Sequence, residues 1–220
     1  MQSKRSKYTR AVRGRELYNF GNRFVESRST EGHLVAVQVE LQEGFVRLEA
    51  DMMDFASRKR GILAPHVLRC YDVNPGIIAD VTNVVPGDSL DKVWHSLDDQ
   101  QRDSIKLQLK EQLRLYQTLT RSYIGRRYHQ ETYDFFDRLN FNFMGPFESE
   151  EEFDEWCLVR VKSPLSRAVW KLLLPKMRAK RPSKFVLTHA DLSTGNIMVH
   201  EGKISGILDW EYSGFFPEYM

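Results

Sequence analysis

Cysteine is scarce. The 220 residues hold only Cys70 and Cys157, far apart and without metal-ligand spacing. A disulfide framework and a cysteine-built metal site are thereby excluded, and two buried thiols in a reducing compartment are expected. Long apolar runs are missing too: nothing approaches the ~18–20 residues of a membrane span. The basic start MQSKRSKYTR has no apolar stretch behind it, so it does not read as a secretory signal. Nor does one sign of charge dominate. The 32 basic and 30 acidic residues leave a net charge of +2, too balanced to argue for nucleic acid. No repeat or low-complexity tract occurs. What is present is 41% hydrophobic and 12% aromatic residues, enough to bury a core without disulfides or a metal. These features lead us to expect a cytoplasmic protein with neither nucleic-acid nor membrane partners.

Along the chain, residues 1–30 are basic and polar, with one mixed stretch, RELYNFGNRFV. HLVAVQVE (His33 to Glu40) reads as a strand. RLEADMMDFASRK follows with Leu48, Met52 and Phe55 at helical spacing. HVLRCYDV and GIIADVTNVV are two further strands split by the turn signal NPG. Residues 31–86 thus form a small sheet with one helix. From residue 87 the texture turns helical. Asp88 or Ser89 is a candidate cap for one helix and Ser96 for the next, with Asp98 and Asp99 in its first turn. That helix, expected to run to about Thr120, places Ile105, Leu109, Leu113 and Tyr116 on one stripe. The aromatic stretch YDFFDRLNFNFMGPF is expected to pack as a loop over the helical core. The acidic ESEEEFDE opens a helix, and Ser163-Pro164 opens another.

The chemistry concentrates in KFVLTHADLSTGNIMVHEGKISGILDWE, Lys184 to Glu211. KFVL reads as a buried strand, HADLSTGN as a loop, and IMVH, EG, KISGILDW as a hairpin. Asp191 precedes the hairpin, Asn196 starts it and Asp209 ends it. The two ends of a hairpin lie side by side, so Asn196 and Asp209 are expected to be neighbours. Three oxygen-bearing side chains in one small volume suit a hard divalent cation, and a carboxylate beyond the metal's needs serves as a base. Asp and Asn are also common turn residues, so the spacing alone does not separate a metal loop from a capped turn.

His189-x-Asp191-x4-Asn196, followed by an apolar hairpin ending in Asp209, resembles the catalytic and metal loops of the protein-kinase-like fold. LTHADLSTGNIMV with GILDWE is similar to the aminoglycoside phosphotransferase and choline kinase branch. Ser193 stands where protein kinases usually place a lysine, and Trp210-Glu211 replaces the usual Phe-Gly. PGDSLDKVW resembles the lobe connector and first helix of the large lobe. The resemblance implies an α+β, two-lobed protein-kinase-like fold. Its parts would be a basic segment 1–30, a nucleotide-binding lobe 31–86, and a helical lobe 87–220 carrying the catalytic hairpin. It further implies ATP and Mg2+ as cofactors and transfer of a phosphoryl group to a small-molecule hydroxyl. Asp191 would be the base, His189 would brace its loop, and Asn196 and Asp209 would hold Mg2+. Asn83 and Val84 of VTNVV would turn their backbone toward the adenine.

Enzymes of this fold also set a strand lysine on the nucleotide phosphates and pair it with a helix glutamate. Glu49 is placed for the glutamate. The strand position after Val-Ala-Val holds Gln38, and no lysine occurs between Lys7 and Lys59. Either Gln38 stands at that position, or the register shifts by a few residues, or Arg47 reaches in. Gly21 and Gly32 are too far apart for a glycine-rich phosphate loop. In the resembling family further helices follow the Asp209 segment and build much of the acceptor pocket. The chain is therefore expected to be incomplete at its C-terminus. The aromatic segment YSGFFPEYM would then be exposed and available for self-association. The alternative to an enzyme is a catalytically weak pseudokinase, or a fragment, that binds nucleotide or a protein partner.

Overall fold

The computed structural model describes residues 14–20, 22–41, 48–74, 77–136, 142–178 and 184–220. The chain forms two compact units, Met1–Gln112 with Leu192–Trp210, and Leu113–Asp191 with Glu211–Met220. Among the described residues no helix is long and apolar enough to cross a membrane.

The first unit is built on five antiparallel strands, β1 (Arg15–Phe20), β2 (Asn22–Arg28), β3 (Leu34–Leu41), β4 (Val67–Asn74) and β5 (Ile77–Asn83). They lie in the order β1-β2-β3-β5-β4. Val35, Val37 and Val39 of β3 pack with Ala79 and Val81 of β5 as a buried cluster. The period of two puts Ala36 and Gln38 on the opposite face. Helix α1 (Leu48–Ser57) follows β3 and buries Met52 and Phe55, as its spacing predicts. The first two strands fall inside the stretch read as a basic polar segment. β1 is the outermost strand, where charged side chains are tolerated and block further pairing, so mean polarity conceals it. The NPG turn and Arg47 fall outside the described residues in part or whole, as do Gly21 and the basic start.

The same unit carries the hairpin. β11 (Ile197–His200) and β12 (Lys203–Ile207) are joined by Glu201 and Gly202, both with positive φ (51° and 72°). Two left-handed residues in a two-residue turn match the right-handed twist of the flanking strands. A short strand β6 (Asp88–Ser89) lies along the other edge of β11. A short helix α2 (Leu90–Val93) continues from it, then a 3₁₀ turn, Trp94–Ser96.

Helix α3 (Asp99–Tyr116) is capped by Asp98 rather than Ser96. The Gln101 N–H donates to Asp98 Oδ1 at 2.7 Å and the Asp98 N–H donates to Gln101 Oε1 at 3.0 Å, a reciprocal capping box. Ser96 Oγ instead donates to the Val93 carbonyl at 2.7 Å. The inward stripe also differs from the apolar pattern: Leu113 is exposed and Gln112 is buried in its place. Gln112 donates to the Gly61 carbonyl at 2.7 Å and accepts from the Leu63 N–H at 2.9 Å. Gln108 accepts from the Ile204 N–H at 3.0 Å. A helix that must satisfy loop and strand backbone at its inner face needs amides there, and an apolar periodicity search passes over them.

In the second unit, β10 (Phe185–Thr188) is the buried middle strand of a sheet ordered β13-β10-β7, with β7 (Thr120–Arg121) and β13 (Gly214–Pro217). A pair of two-residue strands, β8 (Thr132–Tyr133) and β9 (Phe143–Met144), brackets the aromatic stretch. Its rings pack as expected: Tyr133 stacks on Phe143 (centroids 4.8 Å apart) and Phe135 meets Phe216 edge-on at 5.4 Å. Helix α4 (Glu150–Val159) is capped by Ser149 Oγ, which accepts from the Glu152 N–H at 3.2 Å. Helix α5 (Pro164–Arg178) starts at Ser163-Pro164 and leaves Leu165, Val169, Leu172 and Met177 exposed along one face. Arg178 joins the two helices by bonding Glu150 at 2.7 Å and Asp154 at 2.9 Å.

Candidate functional site

The hairpin brings Asn196 and Asp209 to one end. Ile197 pairs with Ile207 across the ladder, and the Leu208 N–H donates to the Asn196 carbonyl at 2.8 Å. Asp209 follows that rung directly, with φ at +64°. A left-handed non-glycine residue is uncommon and held only by well-determined surroundings, although Asp tolerates it better than most. Here the surroundings come from the next residue. Trp210 is fully buried; its indole Nε1–H donates to the Ile207 carbonyl at 2.8 Å, and its backbone N–H donates to Glu49 Oε1 at 3.2 Å.

Glu49 meets Gln38 at its other oxygen. Gln38 Nε2 donates to Glu49 Oε2 at 2.9 Å, with the two residues only 5% and 7% exposed. The β3 side chain that meets Glu49 is thus a carboxamide. Gln38 and Glu49 join the sheet face to α1, and Glu49 joins α1 to the Asp209 turn, all within one unit.

At the end of β5 the Asn83 N–H donates to the His66 carbonyl at 3.1 Å, and Asn83 Oδ1 accepts from the His66 N–H. The Asn83 backbone donor is thus engaged within the sheet. The next donor, the Val84 N–H, has no acceptor among the described residues.

His189 and Asp191 belong to the second unit. His189, 1% exposed, accepts from the Asp191 N–H at Nδ1, 3.3 Å away. An accepting Nδ1 leaves a neutral ring's proton on Nε2. Between them Ala190 takes φ +63°. The pair closes a small turn at the exit of β10 that leaves Asp191 half-buried.

The residues after Trp210 are not an exposed aromatic tail. Tyr212 through Pro217 are buried, Phe215 and Phe216 completely, because β13 pairs along the whole of β10. The expectation of self-association through that segment loses its basis, and of its aromatic and apolar side chains only Tyr219 and Met220 remain substantially exposed. Arg126, itself buried, fixes the segment: Nη2 donates to the Glu211 carbonyl at 2.6 Å and Nε to the Ser213 carbonyl at 3.1 Å.

Whether a divalent cation fits can be judged from the donors. Among the described residues no group of three or more His, Cys, Asp and Glu is placed to hold a metal. One carboxylate and one carboxamide at a hairpin end cannot cage an ion alone. Mg2+ is commonly held by one or two carboxylates, with phosphate oxygens and water completing its octahedron. The donor set fits a cation that arrives with a phosphate.

A family model described as the phosphotransferase enzyme family matches residues 19–217. The chain belongs to that family. Solved structures agree in fold. Aminoglycoside phosphotransferase APH(4)-Ia superposes with a TM-score of 0.62 at 13% identity, over 92% of this chain and 67% of that one. A putative fructosamine-3-kinase from Thermobifida fusca YX-ER1 gives 0.61 at 15% identity, over 94% of this chain and 68% of the other. Amicoumacin kinase hAmiN, solved with AMP-PNP, Ca2+ and Ami, gives 0.55 at 14% identity, over 99% and 66%. The chain spans about two thirds of the length of each. No curated protein matches. The architecture is the protein-kinase-like fold of the aminoglycoside phosphotransferases. In this phosphotransferase-family chain, motif spacing alone points to Gln38, Glu49, Asn196 and Asp209. It passes over Trp210 as a backbone donor, and Arg126, whose only sequence signal is one arginine beside another in GRRY.

Proposed function

We propose that the protein is an ATP- and Mg2+-dependent phosphotransferase acting on the hydroxyl of a small molecule. The observation that carries the reading is the hairpin end, where the backbone bond from the Leu208 N–H to the Asn196 carbonyl brings Asn196 to the same end as the left-handed Asp209, in a chain of the phosphotransferase family. Related folds were solved with a nucleotide analogue and a small-molecule substrate, APH(4)-Ia with AMP-PNP and hygromycin B, and with Ca2+ in the amicoumacin kinase. These support nucleotide and divalent cation as the cofactor classes.

In this reading Asn196 and Asp209 would hold the cation, which when bound would offset the charge of the nucleotide phosphates. The Val84 N–H donates to the adenine edge. Asp191 takes the proton of the acceptor hydroxyl as that oxygen forms its bond to the γ-phosphorus; the bond from phosphorus to the bridging oxygen breaks, and ADP departs with the electron pair. His189 Nδ1, by accepting the Asp191 N–H, fixes the backbone from which that carboxylate projects.

Thermal unfolding with AMP-PNP, with and without Mg2+, followed by turnover of ATP across a panel of hydroxyl compounds, tests the assignment. Ligand at ~100 Kd stabilises by about 2.7 kcal/mol, so a Mg2+-dependent shift is expected. Asp191→Ala should retain that shift and lower turnover by roughly 10²–10⁴-fold. Full turnover in that variant would remove Asp191 from its role. A second reading is favoured by one observation, the neutral Gln38 opposite Glu49: a nucleotide-binding pseudokinase. It predicts the thermal shift with no turnover on any acceptor.

A further inference from the structure

We infer that Gln38 is a positioning residue that has kept only the mechanical half of the strand cation's task. It holds Glu49, and through Glu49 the Asp209–Trp210 turn, while bringing no charge to the nucleotide phosphates, so that nucleotide binding depends on the divalent cation. The inference rests on the phosphotransferase reading above.

In this fold a strand lysine does two things: it pairs with the helix glutamate, and it neutralises phosphate. The first survives. Gln38 Nε2 holds Glu49 Oε2 at 2.9 Å, and Glu49 Oε1 holds the Trp210 N–H at 3.2 Å, one peptide bond from Asp209. Both carboxylate oxygens thus accept from neutral N–H groups of their own unit, and the strut spans β3, α1 and the end of β12. The second is gone. A carboxamide carries no charge, and no lysine lies elsewhere between Lys7 and Lys59. A charge-assisted contact is roughly twice as strong as a neutral one. The missing ammonium accordingly corresponds to about tenfold or more in nucleotide affinity.

The test measures AMP-PNP binding by calorimetry on the full chain, in Mg2+ and in EDTA, for the wild type, Gln38→Lys and Gln38→Met. The wild type should bind in Mg2+ and weaken at least about a hundredfold in EDTA. Gln38→Lys should tighten binding in EDTA by about tenfold or more. Gln38→Met, similar in volume but unable to donate, should leave EDTA binding as weak as in the wild type. It should also weaken the Mg2+-dependent complex and speed hydrogen exchange at the Trp210 amide of the nucleotide-free protein. Should Gln38→Met not melt cooperatively, Gln38→Asn, an amide too short to reach Glu49, takes its place. Wild-type affinity in EDTA within about threefold of that in Mg2+ would overturn the inference. So would an unchanged EDTA affinity in Gln38→Lys, or wild-type exchange at Trp210 in the donor-less variant. No binding by the wild type in either condition would overturn the phosphotransferase reading itself, and this inference with it.

Discussion

Glu49 and Arg126 do the same job with opposite charges. Glu49, in the first unit, takes the Trp210 N–H; Arg126, in the second, gives to the carbonyls of Glu211 and Ser213. Consecutive stretches of backbone are thus held by a buried carboxylate on their donor side and by a buried guanidinium on their acceptor side. Neither of these bonds goes to an opposite charge. The contrast is in what else each side chain touches. The remaining oxygen of Glu49 accepts from Gln38, a residue at a recognisable position, whereas Arg126 sits in a turn where its own carbonyl accepts from Tyr123 Oη at 2.9 Å. One grip belongs to a motif, and the other is a matter of tertiary placement.

The symmetry between the two grips breaks most visibly at Arg126. Arg126→Met keeps bulk but removes the donors from two carbonyls of a buried strand entry. An orphaned buried acceptor costs roughly 1–3 kcal/mol. The loss should therefore exceed that of any single change at Glu49 or Ala190, readable as a lower urea midpoint with an unchanged slope. A midpoint within experimental scatter of the wild type would mean that β13 is held by its pairing with β10 alone.

The second unit pairs its other buried charges directly, Arg160 with Asp134 at 2.7 Å and Arg178 with Glu150 and Asp154. Cys157 reports on that neighbourhood. It is free and half-buried, rather than buried as expected. Burial first, and then the Asp154 charge, push its thiol up to about 11. A raised value favours the protonated thiol, so at pH 8 its thiolate is scarcer than that of an ordinary cysteine by up to about a hundredfold. Alkylation by iodoacetamide, followed by peptide mass mapping, should be correspondingly slow and rise about tenfold per pH unit until about pH 11. Ordinary reactivity at pH 8 would show that the helix pair opens readily.

How much of the molecule is legible in its sequence follows from the same contrast. β3, α1, the two-residue hairpin and the His189–Asp209 stretch declare themselves because local periodicity, turn chemistry and motif spacing agree there. The strands β1 and β2 do not: β1 is the edge strand, where charge is permitted, and β2, although paired on both sides, is itself polar and charged along NRFVESR. Gln108 and Gln112 do not either: an amide that satisfies distant backbone looks like a solvated polar residue. Arg126 belongs to this group, with partners 85 and 87 residues away. The burial of Phe215 and Phe216 is hidden for the same reason, because the strand that covers them lies some thirty positions earlier in the chain, at Phe185–Thr188.

A smaller effect tests the Glu49 side. Glu49→Gln preserves shape but turns one acceptor into a donor, so either the Trp210 N–H or Gln38 Nε2 faces another N–H. About 1–3 kcal/mol of stability should be lost, less than at Arg126, where two acceptors lose their donor together. Circular dichroism melts of the two variants at one pH would rank them; the reverse order would place the main hold on the Asp209–Ser213 stretch in the first unit.

The smallest effect concerns backbone. Ala190 and Asp209 both sit left-handed, at φ +63° and +64°, one in each unit. Asp has a short polar side chain suited to that region, while Ala has only the methyl group that makes it costly, at roughly 1–2 kcal/mol. Ala190→Gly removes that cost but adds unfolded-chain entropy of about 0.5–1 kcal/mol. The net change should be stabilising by no more than about 1 kcal/mol, seen as a slightly higher urea midpoint. A destabilisation larger than that would mean the Ala190 methyl is held by packing that outweighs its strain, and the turn between His189 and Asp191 would then be fixed by side chains as firmly as the one at Asp209.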